Sequence, residues 1–120
     1  MTKYSVKPMS NIAQVGLDKL DGTACILDES TASPDGILVR STKLSKEDIS
    51  NDLKAISRAG AGVNNIPVDV CTEMGVVVFN TPGANANAVK ELVLAGLMLS
   101  SRNVFDSIDF VKNLSSMQEM

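Results

Sequence analysis

Residues 57–103 read SRAGAGVNNIPVDVCTEMGVVVFNTPGANANAVKELVLAGLMLSSRN, and this stretch decides the fold. It opens on the end of an apolar strand, Leu53 to Ser57, and passes into a loop of small residues, Arg58-Ala59-Gly60-Ala61-Gly62-Val63-Asn64-Asn65. Pro67 has its φ preset for a helix start, and Gly75 suits a helix end, so a short helix is expected over 67–74. Residues 76–79 (VVVF) are consecutive, β-branched and aromatic, the pattern of a strand buried on both faces. Asn80-Thr81-Pro82-Gly83 is a turn, and from Asn85 or Asn87 one long helix is expected to about residue 111. Its apolar positions Val89, Leu92, Val93, Leu97 and Val104 hold helical spacing.

Upstream, the same alternation continues. A weak strand is expected over 4–6 and an amphipathic helix over 11–20, using Ile12, Val15 and Leu20. Strands follow over 24–27 and 36–39. Asp21-Gly22 and Ser33-Pro34-Asp35-Gly36 supply stop and turn signals. Ser45 and Asp48 form the two ends of a capping box for a helix between the third and fourth strands. Strands alternating with helices, each strand nearly continuous in apolar residues, make an α/β chain with a parallel, doubly wound sheet. Ligands in such sheets bind beyond the carboxyl ends of the strands. That rule points to Arg40-Ser41 and to the loop after Ser57.

Composition narrows the chemistry. The chain has 120 residues, of which 44% are hydrophobic and 21% charged, enough for one small core. Net charge is -3 and the Lys and Arg residues are scattered, which argues against nucleic acid as a partner. No apolar run is long enough to span a bilayer, and the first residues lack the apolar core of a signal peptide, so no membrane partner and a cytoplasmic location are expected. Cys25 and Cys71 lack metal-ligand spacing and sit among apolar residues. Reduced, buried thiols are expected, with a disulfide between them as the alternative. There is no histidine, the commonest acid/base group near neutral pH. Asp28 and Glu29 have no partner base and read as solvated loop charges. No metal site and no catalytic residue is identifiable in this chain.

Three features remain that could carry chemistry. The two-glycine loop is either a cradle of backbone N–H groups for an anion or a tight turn and nothing more. It is not a dinucleotide fingerprint, because it lacks a third glycine and no helix starts directly behind it. Arg40 ends a strand, where it could pair with a carboxylate or phosphate, or simply face solvent. The start of the long helix offers free N–H groups, or only a helix capped by one of its asparagines.

The runs RAGAGVNNI and VVVFNTPGANANAVKE, at this separation, resemble the central block of the D-2-hydroxyacid dehydrogenases; upstream the likeness is looser and rests on Leu38, Val39, Arg40 and Ser41. The resemblance implies a flavodoxin-like substrate domain over residues 1–85. It implies a helix over 86–114 leading toward an NAD-binding domain beyond the chain, and a tail over 115–120. It implies that Arg40 and Ser41 reach an anionic substrate, that the amides of Ala61, Gly62, Val63 and Asn64 hold its carboxylate, and that Arg58 helps with a phosphate. Ala61, Asn87 and Val89 would lie near the nicotinamide end of the cofactor, NAD. The implied reaction is oxidation of the 2-hydroxyl of 3-phosphoglycerate, a phosphorylated hydroxy acid, at the head of serine biosynthesis, with another D-2-hydroxy acid on the same scaffold as the alternative. The dinucleotide loop and the catalytic residues would fall beyond Met120, leaving this chain inactive alone.

Two other readings compete. A receiver-type signalling module of the same fold needs acidic residues clustered at strand ends, whereas Arg40, Arg58 and Asn80 stand there. An assembly element would use the apolar face of the long helix to pair two copies, giving a homodimer.

Overall fold

In the computed structural model, which describes residues 3–9, 12–20, 22 and 24–117, the chain divides into two compact units, at residues 84 and 85. The first unit is a five-stranded, wholly parallel sheet in the order β2-β1-β3-β4-β5. Its strands are β1 (Tyr4–Met9), β2 (Cys25–Leu27), β3 (Gly36–Val39), β4 (Ala55–Arg58) and β5 (Val77–Phe79). This is the flavodoxin-like doubly wound order, in which the chain reverses direction of travel between β1 and β3.

β1 is longer than its sequence suggests. It takes in Lys7 and Pro8, and proline lacks the N–H a central strand needs. The register removes the conflict. β2 pairs only with residues 4–6, so Pro8 has a ladder partner on one side alone, Leu38 of β3.

The core lies over β3 and β4. Ile37, Val39, Leu44, Ile49, Leu53, Ile56, Ile66, Cys71 and Val76 are buried together, with Met9, Val70 and Val78 packed against them. Ile37 stands opposite Ile56, and Ile56 opposite Val78, so one sheet face carries the packing across three strands. The other face is more open. Val77 and Phe79 are 52% and 56% exposed, so β5 is an edge strand packed on one face, not a strand buried on both.

Connections are shorter than the sequence patterns suggest. The helix expected over 11–20 is a single turn, α1 (Gln14–Leu17); its expected start, residue 11, lies outside the described residues. Between β3 and β4 stands one 3-10 turn, Lys46–Asp48, at which the Ser45 N–H donates to Asp48 Oδ2 at 2.7 Å, the backbone half of the expected capping box. α2 (Val68–Glu73) leads to β5 and ends at Gly75 with φ of +72°. At the opposite edge from the strand ends, Asp35 gathers three strands. Its N–H donates to Ser5 O, its Oδ2 accepts the Ser5 N–H, its carbonyl accepts the Lys54 N–H, and its Oδ1 pairs with the Lys54 ammonium. The hydrogen bond from Lys54, then that from Ser5, hold the Asp35 carboxyl below its ordinary value. Both cysteines are free; Cys71 is buried, which pushes its thiol up, but Cys25 is only half-buried.

The second unit is helical. The single long helix breaks into α3 (Ala86–Ser101) and α4 (Val104–Met117). The break is Asn103, at φ of +49°, a left-handed conformation that asparagine tolerates better than most residues. Its carbonyl accepts both the backbone N–H and the Oγ of Ser107, opening α4, while its own N–H closes α3 on Ser100 O. α4 also takes in residues 115–117, the start of the expected tail, while 118–120 lie outside the described residues. Apolar residues of α3 are well exposed, Leu92 at 74% and Leu97 at 60%.

A Cβ on Gly75 would meet nothing within 4 Å, so a substitution there tests backbone strain alone. Gly75→Ala is expected to lower the urea unfolding free energy by about 1 kcal/mol through that strain; an unchanged midpoint would show that the turn relaxes freely.

Candidate functional site

Because every strand is parallel, the carboxyl ends of β3, β4 and β5 emerge at one edge of the sheet. The residues that follow them are Arg40 to Thr42, Ala59 to Asn65, and Asn80 to Thr81. Register sets their relative height: Val39 stands opposite Arg58, and Ser57 opposite Phe79.

The loop after β4 is held from both sides. The Ala59 N–H donates to Val39 O at 2.8 Å, and the Thr81 N–H to Gly60 O at 3.0 Å. Asn80 Nδ2 donates to Ala61 O at 2.7 Å, and Thr81 Oγ1 to Arg58 O at 3.3 Å. In the sequence Asn80 and Thr81 mark a strand end and a turn; in the fold their side chains are struts for the glycine loop. Arg58 is the other strut. Its Nε donates to Arg40 O at 3.1 Å, and its Nη1 to Gly62 O. Arg58 therefore ties the segment after β3 to the glycine loop, and a contact with a bound phosphate would draw on the rest of its guanidinium.

The glycines act differently from the expectation. Neither Gly60 nor Gly62 has positive φ; among the described glycines only Gly75 and Gly83 do. The loop is thus not the alternating right- and left-handed cradle of a backbone nest. Glycine serves here by leaving room. A Cβ on Gly60 would lie 3.3 Å from the Arg58 guanidinium, and one on Gly62 3.2 Å from both Arg58 Nη1 and Asn64 Oδ1. The bare backbone lets a cationic side chain lie directly against it.

What the struts leave over is a set of donors. Among the described residues, the N–H groups of Ala61, Gly62, Val63 and Asn64 donate to no protein acceptor. Ala61, Gly62 and Asn64 are exposed and Val63 half-buried. Arg40 and Ser41 are exposed at the neighbouring strand end, each with bonds of its own. One edge thus brings together two arginines, a serine hydroxyl and four available amides, all donors. Such a surface suits an anion with several oxygens.

Asn87 and Val89 lie in the first turn of α3, in the second unit. Asn85 is the N-cap, and no side chain caps the helix. The Asn87 amide is engaged along its own helix, donating to Glu91 Oε1 at 2.7 Å and accepting from Lys90 Nζ. The Asn87 side chain is thus engaged within its own helix. Among the described residues, no group of three His, Cys, Asp or Glu is placed for a metal, and no helix is long and apolar enough to cross a membrane.

Residues 4–117 match the family described as "D-isomer specific 2-hydroxyacid dehydrogenase, catalytic domain". The chain is similar to a D-3-phosphoglycerate dehydrogenase of Synechocystis sp., 36% identical over 92% of this chain and 22% of the relative. It is similar to that of Methanocaldococcus jannaschii, 39% identical over 63% of this chain and 15% of the relative. It is also similar to a hydroxypyruvate reductase of Thermotoga maritima, 48% identical over 55% of this chain and 22% of the relative. Among solved structures, an NAD+-bound 3-phosphoglycerate dehydrogenase of Entamoeba histolytica superposes with a TM-score of 0.68 at 25% identity, over 82% of this chain and 39% of that one. A 2-hydroxyacid dehydrogenase of Ketogulonicigenium vulgare shares the fold, with a TM-score of 0.75 at 22% identity over 94% of this chain and 40% of that one. The chain thus spans less than a quarter of these curated relatives. With the family matched along almost its whole length, this chain belongs to the D-isomer specific 2-hydroxyacid dehydrogenases.

Proposed function

We propose that this chain is the substrate-binding portion of an NAD-dependent D-3-phosphoglycerate dehydrogenase, acting in the cytoplasm at the head of serine biosynthesis. The observation that carries the reading is the row of four amides that, among the described residues, have no protein acceptor, set between Arg58 and the Arg40-Ser41 strand end.

In this reading the amides of Ala61 to Asn64 hold the substrate carboxylate, fixing the carbon beside it that bears the hydroxyl. Arg40 and Ser41 take the phosphate, with the guanidinium of Arg58 adding positive charge. A bidentate arginine contact fixes orientation as well as affinity. NAD, when bound, would supply the hydride acceptor for C2 of the substrate. In this reading the part of this chain is to bind and orient the substrate. Its own contribution to NAD in this reading is at the nicotinamide rim, at Ala61. The exposed apolar residues Leu92 and Leu97 of α3 give the chain its assembly role, as a homodimer.

The resemblance to a hydroxypyruvate reductase, the highest in identity of the three relatives, supports a second reading, in which the same amides receive another D-2-hydroxy acid. The carboxylate contact is then unchanged and only the phosphate contact is absent.

Nuclear magnetic resonance titration of the labelled chain separates these readings. 3-Phosphoglycerate is expected to shift the amides of residues 60–65 with millimolar affinity, and Arg40→Ala to weaken that binding about tenfold, as loss of a charged hydrogen bond does. An unphosphorylated 2-hydroxy acid binding equally well, with no effect of Arg40→Ala, favours the second reading. No shift with either acid removes the site. Light scattering is expected to give twice the monomer mass at micromolar concentration; a monomer would remove the assembly role.

A further inference from the structure

Among the described residues the buried polar side chain is that of Asn65, 9% exposed, and the anion site as read above does not use it. We infer that Asn65 is a positioning residue: it fixes the segment after β3 against the loop after β4 and so sets the spacing between Arg40-Ser41 and the amides of residues 61–64. This rests on the reading of that edge as an anion site.

The geometry is specific to asparagine. Asn65 Nδ2 donates to Thr42 O at 2.7 Å and reaches Arg40 O, more weakly, at 3.4 Å. Those two carbonyls flank Ser41, so one planar amide holds the backbone on both sides of a proposed ligand residue. The Asn65 carbonyl accepts the Leu44 N–H at 2.8 Å, adding a third tie two residues further on. Arg40 O is shared with Arg58 Nε, so two side chains of the β4 loop region meet on one oxygen of the neighbouring strand end. A serine or threonine hydroxyl carries one donor and could not serve both carbonyls. Asn65 Oδ1 is buried and, among the described residues, without a partner. An amide kept there despite that orphan acceptor points to the value of its donor side, since an unsatisfied buried acceptor is costly. Being buried, Asn65 acts only through the backbone of residues 40–44.

Asn65→Asp is the informative variant. An ionised carboxylate facing two carbonyl oxygens is repelled, whereas a protonated one can donate to Thr42 O, so the neutral form is favoured and this acid titrates above the ordinary range. Spectra of the wild type and Asn65→Asp would be recorded with 3-phosphoglycerate at two pH values, with amide hydrogen exchange measured in parallel. At about pH 7.5 the variant is expected to bind about tenfold more weakly than wild type, with faster exchange at Leu44 and unchanged exchange at Ile37 and Ile56; at about pH 5 the deficit should shrink to about threefold or less. The ratio to wild type at each pH cancels titration of the ligand phosphate. Equal binding at the higher pH, or a deficit of the same size at both, overturns the positioning role. Should Asn65→Asp fail to fold, Asn65→Ser serves, with weakened binding and faster exchange at Leu44 supporting the role and wild-type values for either overturning it. Should the wild type show no shift with 3-phosphoglycerate, the substrate reading falls, and Asn65 stands or falls as a tie on Leu44 exchange alone.

Discussion

The in-register pairing of β3 with β4 is the constraint on which both the core and the site depend. Parallel strands alternate their side chains between two faces, so one pairing decides every neighbour along the ladder. With Ile37 opposite Ile56, the buried face closes. Two residues on, the same register sets Val39 opposite Arg58 and puts the Arg58 side chain where its Nε meets Arg40 O. A slip by one residue would turn Ile56 out of the core and take Arg58 away from the strand end together. The hydrophobic term supports the polar one: burying Ile37 and Ile56 stabilises by roughly 1.5–3 kcal/mol each, as much as a charged hydrogen bond and more than a neutral one at the loop.

From that register follows a division of labour among polar groups. Backbone groups at the strand ends cannot continue the ladder and must find partners in side chains or water. Arg58, Asn65, Asn80 and Thr81 satisfy carbonyls: Arg40 O, Gly62 O, Thr42 O, Ala61 O and Arg58 O. Each of these contacts uses a side-chain donor on a backbone acceptor. The carbonyls of Gly60, Ala61 and Gly62 are occupied, while among the described residues the N–H groups of Ala61 to Asn64 have no protein acceptor. Where carbonyls are occupied and neighbouring N–H groups are not, the exposed backbone presents mainly donors, which favours an anion.

The alternation of strands and helices was legible because buried strands leave short apolar runs, and the third strand, 36–39, is found at its expected bounds. The parallel α/β class followed from that. Less legible was what depends on partners distant in sequence. Pro8 argues against a strand until β2 is known to stop at Leu27. VVVF reads as buried on both faces because its composition carries no sign that it stands at an edge. The break at Asn103 was muted by apolar spacing that continues through it, although the polar run Ser100-Ser101-Arg102-Asn103 was the signal present. At the site, sequence brought forward Arg40, Ser41 and the glycine loop, since strand ends and small residues are visible in one dimension. It missed Asn65, Asn80 and Thr81 as struts, because their partners lie 19 to 25 residues away.

The glycine loop shows why residue type alone does not reveal mechanism. Two glycines separated by one residue suggest left-handed backbone, and on that reasoning the amides would converge because the chain curls. Here φ stays in the ordinary region, and the glycines matter for what lies on top of them. Arg58 rests against the backbone at a distance a Cβ would crowd. The positive charge is thus carried by a side chain and the directional donors by the main chain, and the two are held at fixed spacing by the same guanidinium. Replacing either glycine need not unfold the loop, because the guanidinium is flexible and could give way by a few tenths of an ångström. The displacement would instead pass to Arg40 O and Gly62 O, the two acceptors that guanidinium holds. Strain at a residue without any side chain would then appear as misplacement of its neighbours' donors, a loss of alignment more than a loss of stability.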